Sequence, residues 1–208
     1  MTPDLRPPAV ILAGGQSRRM GTDKAQLRLG GMPLALRVAD RLKEQVSALY
    51  LNAPAGHPLA ATLPLIADTR PDRPGPLAGV LAALKLCGAR PQAAAHLLTT
   101  PCDTPFLPRD LVKRLPELAE SGTIILAACN GRTHPITALW PVTLSHDLEA
   151  WLADPDHRRV FDFIARHPSE TVDFEPFDGP LGPVDPFFNI NTPEDLALAE
   201  AIIRQSAE

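Results

Sequence analysis

Four apolar residues, Ala9-Val-Ile-Leu12, run directly into Ala-Gly-Gly-Gln-Ser-Arg-Arg-Met-Gly-Thr-Asp-Lys24. An apolar run this short, bounded by glycines, makes a buried strand. Gly14 and Gly15 lack a Cβ, so the backbone after the strand can turn sharply and bring its N–H groups close to an anion. Arg18, Arg19 and Lys24 add full positive charges within the same dozen residues. The alternative for such a stretch is a plain surface loop with a solvated charge run. The order strand, glycine pair, cations favours a phosphate cradle at a strand's carboxyl end.

The rest of the chain repeats strand, loop and helix. Pro33 reads as a first-turn proline, and Leu34, Val38, Leu42 and Val46 recur at helical spacing, so a helix is expected over 33–46. Strands are expected at 48–52, ending in Asn52, and at 64–67, ending just before Asp68. Pro74-Gly-Pro-Leu-Ala-Gly79 is a loop leading into an apolar helix over about 77–87. Residues 95–100 form the next strand, followed by Pro101-Cys-Asp-Thr-Pro105 and a helix over 108–120. Strands at 123–128 and 134–140 and helices at about 143–153 and 158–167 come next. Residues 168–188, rich in Pro, Gly and Asp, give no readable pattern. A last helix runs to about 204, with Thr192 as its cap, Pro193 at its first position and Asp195 three residues on from the cap.

Strands alternating with helices predict a three-layer α/β fold with a mostly parallel central sheet. With 208 residues and no evident linker or repeat, a single domain is expected. In such sheets ligands bind beyond the carboxyl ends of the strands. The first loop, Asn52, Asp68 and Asp103 all fall at those ends, and this coincidence marks the site.

Composition excludes several classes. The net charge of −4 argues against a nucleic-acid-coating protein, so a polyanionic ligand must be met by local cations. Lysine occurs only at 24, 43, 85 and 113, among 20 basic residues. The 24 prolines sit mainly in connections and at helix starts, where they stiffen loops. Cys87, Cys102 and Cys129 form no paired motif, so neither a zinc site nor a disulfide framework follows. No apolar stretch is long enough to span a membrane and no signal peptide is evident, so a soluble cytoplasmic protein is expected.

Asp103, set between two prolines, is either a turn aspartate or a carboxylate for Mg²⁺, a hard cation that takes one or two carboxylates together with substrate phosphates. Asp68 reads more simply as a turn-starting residue, whereas Pro74-Gly-Pro-Leu-Ala-Gly79 either wraps a base or brings backbone groups to a ligand, or is a rigid loop with a tight helix contact at Gly79. Asp23 either orients the Lys24 ammonium or is exposed. His134 is either structural or part of a site, and Asn189 precedes the last helix, free to contact a ligand. No Ser/His/Asp triad, Walker lysine motif or His/Cys metal cluster is present. Nucleotidyl transfer needs none of these, because it depends on positioning and on neutralising developing charge.

Taken together, Leu12 to Lys24, Pro74-Gly-Pro-Leu-Ala-Gly79, Pro101-Cys-Asp-Thr-Pro105, His134-Pro135 and Asn189-Ile-Asn-Thr-Pro193 resemble the MobA-type molybdenum cofactor guanylyltransferases, within the nucleotidyltransferases of Rossmann-like fold. The motifs fall in the family's order and span nearly the whole chain. The first is shared with sugar-phosphate and cytidylyl transferases, and the set of five is the specific signal. Residues 175–186 match no family pattern.

The resemblance implies a nucleotide-binding half over about 8–110 and a substrate-binding half over about 111–205. It implies that Leu12, Ala13, Gly14, Gly15, Lys24, Asn52, Asp68, Gly79 and Asp103 hold GTP, and that Asp103 binds Mg²⁺. Lys24, Asp103 and Arg19 would be catalytic, while Arg18, Arg19, His134, Asn189 and Asn191 would face molybdopterin. The implied reaction joins GMP from GTP to the terminal phosphate of molybdenum-molybdopterin and releases pyrophosphate. Upstream cofactor-synthesis and downstream molybdoenzyme-maturation proteins are the implied protein partners. The rivals are a CTP-dependent cytidylyltransferase, a sugar-phosphate nucleotidyltransferase and a non-catalytic nucleotide or cofactor adaptor. Cytidylyl relatives look more like Leu-Ala-Ala-Gly in the first loop, where this chain has Gly14.

Overall fold

The structure is a computed structural model and describes residues 6–13, 23–69, 75–88, 94–115 and 122–205. The expectations for Gly14, Gly15, Arg18 and Arg19 lie outside the described residues.

The first strand, β1 (Ala9–Leu12), is buried at every position, as a strand must be when helices cover both faces of its sheet. Its side chains alternate between two cores. Ala9 and Ile11 face one, with α1 (Leu34–Leu42) and α3 (Leu111–Arg114). Val10 and Leu12 face the other, with α2 (Pro76–Gly88), α4 (Ser145–Trp151) and α5 (Val160–Ile164). These are the three layers expected. Among these helices α2 is apolar nearly all round, because the sheet covers one side and α4 packs on another.

Seven strands form the central sheet. Besides β1 these are β4 (Leu49–Asn52), β5 (Leu65–Ile66), β6 (His96–Pro101), β7 (Ile124–Cys129), β8 (Arg132–Pro141) and β9 (Ser169–Asp173). Their order is β5-β4-β1-β6-β8-β7-β9. Only β8 runs against its neighbours, so the sheet is mostly parallel. From β1 the chain steps outward to β4 and β5, then returns to place β6 on the other flank of β1. The crevice beyond the ends of β1 and β6 is thus the topological switch point, where α/β sheets bind ligands. Register levels the strand ends there: Leu12 lies beside Asn52 of β4 and beside Pro101 of β6.

Two small hairpins lie outside this sheet, β2 (Arg28–Leu29) with β3 (Met32–Pro33), and β10 (Phe177–Gly179) with β11 (Gly182–Val184). With α6 (Pro193–Gln205) they enclose a third core of Leu29, Leu34, Phe106, Val184, Ile190, Ala199 and Ile202. Glu200 of α6 accepts from the Gly30 N–H at 2.8 Å, which ties the last helix to the first hairpin.

Several expected elements are shorter in the structure. The helix expected over 33–46 spans Leu34–Leu42, and Pro33 stands at its N-cap rather than inside its first turn, because it is paired in β3. The helix expected over 108–120 starts only at Leu111, since Pro108 and Asp110 hold the preceding turn; α3 covers Leu111–Arg114, and the expectation for 116–120 lies outside the described residues. The unread stretch 168–188 contains β9, β10 and β11, and β9 extends the main sheet by pairing parallel with β7.

Candidate active site

At the switch point four polar side chains converge from distant parts of the chain. Lys24 opens a 3-10 turn, Lys24–Gln26, beyond the first loop. Its Nζ donates to Asp103 Oδ2 at 2.8 Å and to Asn191 Oδ1 at 2.6 Å. Asp103 follows β6, and its other oxygen, Oδ1, accepts from Asn189 Nδ2 at 2.7 Å. Sequence separations of 79 to 167 residues are closed by these three bonds.

Backbone and buried hydroxyls hold Asp103 in place. Cys102 N–H donates to the Leu12 carbonyl at 3.1 Å, and the Asp103 carbonyl accepts from Ile190 N–H at 3.0 Å. Thr104 Oγ1 donates to the Pro101 carbonyl at 2.8 Å, and the Thr100 hydroxyl lies 3.3 Å from that of Thr104 and 3.2 Å from that of Thr137. Asp103 is buried, and burial pushes the neighbouring Cys102 thiol far above its ordinary range, so no thiolate competes at the site.

Asn189 and Asn191 are held by the start of α6. The Thr192 hydroxyl accepts from Asp195 N–H at 3.1 Å, and the Asp195 carboxylate accepts from Thr192 N–H at 2.9 Å. This is a reciprocal capping box, and the same carboxylate also takes the Asn191 N–H at 2.8 Å. The expected cap at Thr192 and Asp195 is therefore present, and it fixes the backbone from which Asn191 reaches Lys24.

Asn52 and Asp68 form the wall on the β4–β5 side. Asn52 Nδ2 donates to Asp68 Oδ1 at 2.8 Å and to the Ile66 carbonyl at 3.0 Å. Asn52 is 2% exposed, so its amide hydrogens are engaged within this wall. Gly79 of α2 presses on it: a Cβ there would stand 2.4 Å from Asn52 Oδ1 and 3.0 Å from Leu12 Cδ2. Gly79 thus makes the close helix contact, and Leu12 is a core residue, while Ala13 is half-buried at the mouth of the crevice.

Asp23 does not orient the Lys24 ammonium. It caps its own turn, accepting from Ala25 N–H at 3.0 Å and Gln26 Nε2 at 2.8 Å, and lies 2.7 Å from His57 Nε2. Burial works to raise its pKa, but the bonds from Gln26, His57 and Ala25 outweigh this and hold it below the usual carboxylate value. His57 does not stand out in the sequence as a site residue. A signal exists in Gly56-His57-Pro58: a proline at the first position of a turn marks the residue before it as a cap.

His134 lies on β8, buried against Phe187 with ring centroids 4.9 Å apart. Its Nε2 is 2.9 Å from Asp185 Oδ2 but out of line for a hydrogen bond. Burial lowers its pKa, against the opposing pull of Asp185. With Thr104, Arg132, Thr137 and Asn189 it lines a cavity of about 180 Å³ adjoining Asp103's partner Asn189. Thus Asn189 faces both the Asp103 centre and this cavity, whereas Asn191 turns to Lys24.

The central sheet with its switch-point crevice defines an α/β protein of Rossmann-like fold. Residues 9–171 match the MobA-like NTP transferase domain, and the chain belongs to that family. It is 50% identical over 198 residues to the molybdenum cofactor guanylyltransferase of Rhizobium meliloti, covering 94% of this chain and 91% of that protein. It is 48% identical over 195 residues to the enzyme of the same name from Rhizobium rhizogenes, covering 93% and 90%. Among solved structures, molybdopterin-guanine dinucleotide biosynthesis protein A of Archaeoglobus fulgidus shares the fold with a TM-score of 0.71 at 19% identity, over 95% of this chain and 99% of that one. A 4-diphosphocytidyl-2C-methyl-D-erythritol synthase from Anaerococcus prevotii shares it at 0.68 and 14% identity, over 97% and 100%.

Proposed function

We propose that this chain is a molybdenum cofactor guanylyltransferase: it transfers GMP from GTP to the terminal phosphate of molybdenum-bound molybdopterin. An oxygen of that phosphate attacks the α-phosphorus of GTP, the α–β phosphoanhydride bond breaks, and pyrophosphate leaves with the electron pair. The attacking phosphate is already ionised near neutral pH, so the site needs no strong general base. What it needs is fixed positive charge and a fixed geometry. The observation that carries the reading is the Lys24–Asp103 pair at the switch point, braced by Asn189 and Asn191.

The residues fit Mg²⁺. Among the described residues no cluster of three His, Cys, Asp or Glu could hold a metal by itself. Mg²⁺ in phosphate chemistry, however, uses one or two carboxylates with substrate phosphates and water. Asp103 is such a carboxylate, and a carboxylate's two oxygens offer about four acceptor positions, of which Lys24 and Asn189 take two. Bound there, Mg²⁺ would offset charge on the transferring and leaving phosphates. Asn189 orients the Asp103 carboxylate, Asn191 orients the Lys24 ammonium, and Lys24 meets the phosphates. Asn52, Asp68 and Gly79 shape the nucleotide side, with Leu12 and Ala13 at its floor.

The molybdopterin side would include His134, Asn189 and the cavity they line with Thr104, most of it from an acceptor half over about 111–205 set against a nucleotide half over about 8–110. No helix among the described residues is long and apolar enough to cross a membrane. The test is nucleotide choice. Purified protein with Mg²⁺ and molybdenum-loaded molybdopterin should release pyrophosphate with GTP and not with CTP, giving the guanine dinucleotide by mass spectrometry. Release with CTP alone would overturn the choice of base, and silence with both would overturn the reaction.

A further inference from the structure

His57 is 6% exposed at its side chain and has both ring nitrogens in use. Nδ1 lies 3.2 Å from the Leu59 N–H and accepts from it, so that His57 caps the 3-10 turn Pro58–Ala61. An imidazole whose Nδ1 accepts carries its proton on Nε2 in the neutral form. That proton points at Asp23 Oδ2, 2.7 Å away. The tautomer is therefore set by the backbone, and the ring is a committed donor to Asp23.

Asp23 in turn shapes the segment that carries Lys24. Its bonds to Ala25 and Gln26 are internal to the Lys24–Gln26 turn. The His57 bond is different, because it ties that turn across to the segment following β4, 34 residues away. The anchor is itself stiff. His57 N–H donates to the Pro54 carbonyl at 3.1 Å, across a turn whose third residue, Gly56, has φ +81°, the conformation a type II turn requires of glycine. Five residues before His57 stands Asn52, already bonded to Asp68. One rigid segment thus sets both the Asn52 wall and the turn that aims Lys24.

We propose that His57 is a positioning residue for the transfer reaction: through Asp23 it fixes the turn that delivers Lys24 to Asp103 and Asn191. The importance of Lys24 in transfer rests on the reading above; the placement of its amine does not, and can be read without substrate.

Two substitutions separate positioning from a merely structural role. His57→Asn keeps a side-chain acceptor for the Leu59 N–H, as Asn is a good cap, but is too short to reach Asp23. His57→Gln places an amide N–H near the position of Nε2 and loses the cap. In the full-length protein, trace acetylation with acetic anhydride followed by peptide mass spectrometry gives the reactivity of Lys24 relative to exposed Lys43. The expected result for His57→Asn is a near-normal melting temperature, a severalfold rise in Lys24 labelling, and a fall in kcat of about tenfold, the scale of a small misplacement in a catalytic group. His57→Gln should restore Lys24 protection and most of kcat even where its melting temperature is lower. Wild-type Lys24 labelling in folded His57→Asn overturns the proposal, as does His57→Gln exposing Lys24 as fully as His57→Asn. If labelling shifts as expected while wild-type protein transfers no GMP, the positioning role stands and the transferase reading fails.

Discussion

In the proposed mechanism, Lys24 is the residue on which the site's chemistry turns. Its ammonium sits between one carboxylate and one amide carbonyl, at 2.8 and 2.6 Å, and is held by polar groups rather than by packing. Lys24→Ala should therefore lower the transfer rate by about 100-fold or more, in the range seen when a charge-stabilising group is removed, while the midpoint of urea unfolding moves little. An unchanged rate would remove Lys24 from the mechanism. Gly79 makes the opposite case, a residue that acts by having no side chain. Gly79→Ala drives a methyl to 2.4 Å from Asn52 Oδ1. The cost expected for such overpacking is about 1–3 kcal/mol, read from urea melts, together with a raised KM for GTP as the Asn52–Asp68 wall shifts. A variant as stable as wild type would show that α2 can yield there.

At the scale of single elements, the start of α6 joins folding to function. Thr192→Ala removes one arm of the capping box and should cost about 1 kcal/mol in a denaturant melt. Since Asp195 also holds the Asn191 N–H, kcat should fall as well, and a loss of stability with unaltered kcat would uncouple the cap from the site. β6 carries the site at one end and a different liability at the other. His96 begins the strand with Nε2 buried and unpartnered, and burial lowers its pKa from the ordinary 6.5. The unfolded chain thus takes up the proton more readily than the folded one, so the stability that His96 contributes is complete above pH 6.5 and is lost as pH falls through its lowered folded pKa. Melting temperatures measured from pH 7.5 down to 5 should decline less steeply in His96→Gln than in wild type. Parallel curves would show that His96 takes no part in acid sensitivity.

Across the whole molecule, the part around β1, β4 and β6, the proposed nucleotide side, was the more legible in the sequence. β1, β4 and β6 are short apolar runs between turn residues, and the switch-point rule turned their polar ends into a site without knowledge of contacts. Asn52, Asp68 and Asp103 are candidates singled out in this way. The proposed acceptor side, beyond β8, resisted. β9 is an edge strand, Ser-Glu-Thr-Val-Asp, exposed at every position but Val172, and is held by long-range parallel pairing with β7, which leaves no local periodicity. The hairpin of β10 and β11 is similarly short, three residues a strand, and its Phe177 and Val184 pack with Phe106 and residues of α6 in the third core, a long-range arrangement with no local signal. The junction of Asn189 and Asn191 with Asp103 and Lys24 spans most of the chain, and each asparagine alone reads as helix entry. His57 was missed because its partner, Asp23, lies 34 residues away.

The central claim is that transfer takes place at the Lys24–Asp103 pair, and Asp103→Asn tests it most directly. Asparagine keeps the shape of the side chain and removes its charge. Single-turnover formation of the guanine dinucleotide, followed by mass spectrometry with saturating GTP and Mg²⁺, should slow by about 1,000-fold or more, with a melting temperature close to that of wild type. A folded Asp103→Asn protein that makes the dinucleotide within a few-fold of the wild-type rate would contradict the assignment and move the reaction centre elsewhere in the crevice.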